Sequence, residues 1–205
     1  MFRPPPGPPP PAPVDTDPGT GHFAQPPDVA PHPYRVLDRA AVRSALARAR
    51  DTNLGRFRAY QQRGVFPSNT FEDRKLNVWR DADGHLCAAA TIIDASGLHD
   101  LVARVAEQTN FIRLADVRQG PLMDWILTSG FTQDEIAAIQ EPFMPVEQPG
   151  RPVVDPDLRM TEDARLRAKY TAVTRMLVAN EKTSLDTATD RLMQRPQLAW
   201  KLIGA

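Results

Sequence analysis

Leu76-Asn77-Val78-Trp79-Arg80-Asp81-Ala82-Asp83-Gly84-His85-Leu86-Cys87-Ala88-Ala89-Ala90-Thr91-Ile92-Ile93 is the segment that separates a mixed fold from a purely helical one. Leu76 to Trp79 alternates apolar and polar residues, the period of a half-buried strand. Asp81 to Gly84 carries turn chemistry: short polar side chains that bond nearby backbone, and a glycine that adopts positive φ at no steric cost. His85 to Ile93 then reads as the returning strand. The alanine run at 88–90 fits a strand poorly, which leaves a helical continuation past Cys87 open. Two strands alone are marginal, so a hairpin near 76–93 is expected to pack on helices or to gain a third strand. Phe111-Ile112-Arg113-Leu114 is the candidate for that strand. The expected class is therefore α+β and mostly helical, with a small β-hairpin or three-stranded sheet packed on helices.

Helical signals surround this segment. Asp38 precedes good helix formers, and Val42, Leu46 and Ala49 recur at helical spacing. Beyond Asn53 the apolar register moves to Leu54, Phe57 and Tyr60, which predicts a kink or break near 53–55, with Gly64 as terminator. The arginines of this helix are scattered around its axis and read as a solvated, salt-bridged surface. Leu98 to Gln108 is predicted helical. Gly120-Pro121 opens another helix that Gly130 stops, and Thr132 with Glu135 forms a capping box for the next. Thr161 is the expected cap of a strong helix whose Leu166, Tyr170, Val173 and Leu177 share one arc. Ser184 and Pro196 are expected to start the last two.

The start of the chain differs from all of this. Thirteen of its 21 prolines fall within the first 33 residues. Residues 1–33 are expected to be a disordered Pro-rich arm in extended polyproline II, serving as a tether. Residues 34–141 are expected to be a helical α+β core domain, 142–160 a Pro-rich linker, and 161–205 a C-terminal helical segment that docks on the core or on a partner. No apolar stretch reads as a signal peptide or a membrane span. A cytoplasmic location is expected on that ground, and an exported or envelope-tethered one if the true start lies upstream. Formal net charge is zero, so no global field steers nucleic acid or anionic membrane. Arginine outnumbers lysine 21 to 4, which reads as GC-rich, bacterial-type coding.

The single cysteine, Cys87, excludes an internal disulfide framework and a multi-cysteine zinc site. Cys87 and His85 are the only pair resembling nucleophilic chemistry. On one strand they would lie about 6.5–7 Å apart, too far for a thiol–imidazole hydrogen bond. If Cys87 begins a helix, the helix N-terminus could lower its pKa. His99 would then be the base, with Asp116 or Asp94 orienting it. Asp81, Asp83 and Gly84 echo a calcium loop, but position 12 counted from Asp81 is Ile92, and a hairpin turn is the better reading. No metal site and no cofactor are expected. The histidines are too sparse for a cluster, and no phosphate-binding glycine loop or serine-hydrolase elbow occurs.

Ser129-Gly130-Phe131-Thr132-Gln133-Asp134-Glu135-Ile136-Ala137-Ala138 resembles the stretch leading into the first helix of many bacterial helix-turn-helix domains. That family implies a tight turn and a recognition helix next. Here Gln140-Glu141-Pro142-Phe143-Met144-Pro145 follows, and Asp134, Glu135 and Glu141 would repel phosphate.

The leading expectation is a non-enzymatic interaction or scaffold protein tethered by its Pro-rich arm. Its partner would be another protein, met through the arm or the C-terminal helices, with Trp79, Tyr170, Leu177 and Trp200 as candidate contacts. A cysteine-dependent hydrolase or transferase using Cys87 with His85 or His99 is the alternative. A DNA-binding helical domain is the third, with no nucleic acid expected under the leading reading.

Overall fold

The computed structural model describes residues 36–147 and 154–204. The expected Pro-rich arm, and Pro149 and Pro152 of the expected linker, lie outside the described residues. Eight α-helices occur among the described residues: α1 (Arg39–Arg63), α2 (Ala88–Asp94), α3 (His99–Gln108), α4 (Pro121–Thr128), α5 (Gln133–Ile139), α6 (Pro156–Ala179), α7 (Glu181–Met193) and α8 (Pro196–Ile203). None is long and apolar enough to cross a membrane. Val36–Ala205 forms one compact unit.

The α+β class and the β-hairpin expected near 76–93 are corrected. The described residues contain isolated β-bridges and no strand. Arg80 does bridge Leu86, with Cys87 N–H donating to Trp79 O (2.9 Å) and Asp81 N–H to His85 O (3.0 Å). The turn at 81–84 therefore forms, and Gly84 takes φ 86° within it. Pairing stops after that rung because Ala88–Ala90 enter α2 instead of extending, as alanine's helix preference favours. The other side of the would-be strand is occupied piecemeal. Trp79 N–H donates to Asn110 O (2.8 Å), and Leu76 and Phe143 exchange two backbone bonds.

The expected third strand at 111–114 is corrected too. Its backbone bonds go to local turns and to glutamine side chains. Gln140 accepts from Leu114 N–H (2.8 Å) and donates to Ile112 O (2.8 Å), while Gln133 Nε2 donates to Leu114, Ala115 and Val117 carbonyls. Two amides thus satisfy a buried, irregular backbone that a neighbouring strand would otherwise have to pair.

The central element is α1, which packs against α2, α6, α7 and α8. Asp38 caps it by accepting from Ala40 N–H (2.8 Å), and Gly64 ends it at φ 64°. No break occurs near residue 53. The buried stripe runs Val42, Leu46, Arg50, Asn53, Phe57, Tyr60, an unbroken series of steps of three and four. An apolar count sees a register shift because two members of the stripe, Arg50 and Asn53, are polar. The capping box at Thr132 is present, and Gly120-Pro121 opens α4. Helix α6 starts five residues before Thr161, with Asp155 accepting from the N–H groups of Asp157 and Leu158 and Pro156 at the first helical position. Helix α7 starts at Glu181, three residues before Ser184, and α8 starts at Pro196.

Two close approaches lock these helices. Gly130 (φ 81°) presses against α1, where an added Cβ would meet Leu46 O at 2.3 Å and Arg50 N at 2.6 Å. The rings of Phe57, Tyr60, Phe66 and Tyr170 form a cluster with centroid separations of 5.4–5.7 Å, mostly edge-on or tilted, joining α1 to α6.

Candidate functional site

Cys87 sits where the turn at 81–84 feeds into α2. It is the helix N-cap, with extended backbone, and its Sγ accepts from Ala90 N–H at 3.4 Å. A helix N-terminus stabilises a thiolate, so position alone favours reactivity. Burial opposes it. Cys87 is fully enclosed in the hydrophobic core. Desolvation pushes its thiol up to about 12, and the backbone N–H groups of Ala90 and Ala89 offset only part of that. The sulfur at neutral pH is a protonated cap in an apolar setting.

Neither candidate base bonds the sulfur. His85 lies half-exposed with its Nδ1 3.1 Å from Asp81 Oδ2. Asp81 is itself committed: its carboxylate accepts from the N–H groups of Ser68, Asp83 and His85. This is the hydrogen bonding of a tight turn. Ligand atoms of Asp81, Asp83 and His85 lie within 4.8 Å of one another, so this turn is the place among the described residues with donors for a cation. Those three backbone donors already occupy the buried carboxylate, and the set needs no ion to explain it. His99 is exposed on α3, its Nδ1 2.7 Å from Asp94 Oδ1. Asp94 is thus the orienter that the sequence offered, whereas Asp116 lies 3.6 Å from Arg113.

The candidate contact residues are mostly interior. Trp79, Tyr170 and Leu177 are fully buried. Trp79 donates its indole N–H to Val102 O (3.1 Å), which anchors the turn segment on α3. Tyr60 and Tyr170 meet edge-on, and burial, more than any neighbouring charge, raises both phenols above their ordinary range. Trp200 is partly buried on α8.

The group that sequence reasoning missed is Arg50. Buried on α1, it donates to Glu135 Oε1 (2.7 Å) and Oε2 (2.9 Å), to Gly130 O (3.0 Å) and to Leu177 O (2.6 Å). Its guanidinium also lies over the Phe131 ring at 4.9 Å. Glu135 accepts in addition from Ser184 Oγ (2.7 Å) and Thr132 N–H (2.8 Å). One bidentate pair therefore ties α1, the α4–α5 loop, α5, the end of α6 and α7. The available signal was Arg50's place four residues after Leu46 and seven before Phe57, on the apolar stripe.

One open concavity, lined by Thr132, Asp134, Ser184 and Arg191, adjoins this network, and others lie apart from it. A groove of about 690 Å³ runs between α3, α4 and α8, and a hollow of about 560 Å³ adjoins it through Asp124, Leu198 and Lys201. Its floor is apolar (Leu101, Trp125, Leu198, Leu202), and its rim is charged. Comparison of the chain with protein-family models, with curated proteins and with solved structures returns no match.

Proposed function

We propose that this chain is a non-enzymatic interaction protein, a helical body that works by binding another polypeptide. The observation that carries this reading is the state of Cys87. Its sulfur serves as a sealed helix cap with a raised thiol pKa, and both imidazoles that sequence pairs with it turn to carboxylates instead. A thiol of that pKa is almost entirely protonated at neutral pH, and only the thiolate attacks carbon. The buried charged pair Arg50 and Glu135 joins helices instead of facing a cleft. The mixed apolar and charged groove of α3, α4 and α8 is the surface on which binding would occur.

The test is an electrophilic thiol probe on the intact chain at neutral pH, read by mass spectrometry. The expected outcome is no modification of Cys87 on the folded protein and complete modification after denaturation. Rapid labelling of the folded protein that disappears in His99→Ala or His85→Ala overturns the reading and makes the cysteine a nucleophile.

A further inference from the structure

We draw no further inference here: the strongest candidate, the exposed face of α6 that sets Ala164, Ala168 and Ala172 at four-residue spacing between Met160 and Val178, is a surface patch of small and apolar side chains, and nothing in the structure shows what covers it.

Discussion

Arg50 donates four hydrogen bonds to oxygens from three separate stretches of chain, with 1% of its surface exposed. Removing one member of such a buried pair strands the other charge, at a cost of about 3–5 kcal/mol. Glu135→Gln is therefore expected to destabilise by that order in urea denaturation. The double variant Arg50→Met/Glu135→Leu should cost less than the two single changes summed, because no uncompensated charge remains. Gly130→Ala faces both positive φ and contact with the α1 backbone at 2.3 Å. It should lose about 2–4 kcal/mol, whereas an alanine at Gly55, where nothing lies within 4 Å, should be tolerated. Sequence reading placed Arg50 on a solvated surface because residue type outweighed position. Asn53 was misread for the same reason, although its amide donates to Ser129 O (2.9 Å) and keeps it on the stripe. Cys87 was legible as a possible helix start, but its chemistry is decided by complete burial in a core that also contains Tyr60 and Tyr170, remote in sequence.

Local rules carried the elements whose ends are set within a few residues. Asp38, Gly64, the Thr132 capping box and Pro196 mark boundaries where the sequence placed them. They failed where partners are distant. Leu76–Trp79 alternates like a strand, yet its neighbours are Phe143 and Asn110, each contributing one point of pairing, so no ladder follows. Nor does local sequence reveal that Gln133 and Gln140 bond the backbone at 112–117, where a strand over 111–114 was expected. Gln140→Ala should leave Leu114 N–H and Ile112 O buried and unpaired, for a loss of about 2–4 kcal/mol, with amide exchange at Leu114 accelerating first. The junction of residue 141 with α6 gives a pH prediction. Burial raises the Glu141 carboxyl, but the Arg165 hydrogen bond and the charges of Lys169, Arg165 and Lys75 outweigh that and leave it below its usual 4.5. A depressed carboxyl contributes stability that is complete above the unfolded value and is lost as pH falls through the folded one. Stability should thus decline below about pH 4.5, and Glu141→Gln should flatten that decline.

For the molecule as a whole, the buried acidic protons act in the opposite direction. Cys87 is raised from 9.0 to about 12, and Tyr60 and Tyr170 stand above their ordinary 10.0, all three mainly through burial. Groups raised in the folded state favour folding's loss as pH climbs from the unfolded value toward the folded one. Stability should therefore fall from about pH 9 upward. Phenolate absorbance from Tyr60 and Tyr170 should appear together with loss of helical dichroism and not before it. The same sealing underlies the functional reading, and it sets the most direct measurement. The rate of Cys87 modification by a small thiol reagent, followed across urea concentrations at fixed pH, yields an opening free energy for that one sulfur. If Cys87 is a structural cap, this free energy equals that of global unfolding and falls with the same dependence on urea. A reagent that reaches the sulfur at a urea-independent rate, far faster than unfolding permits, would contradict the account.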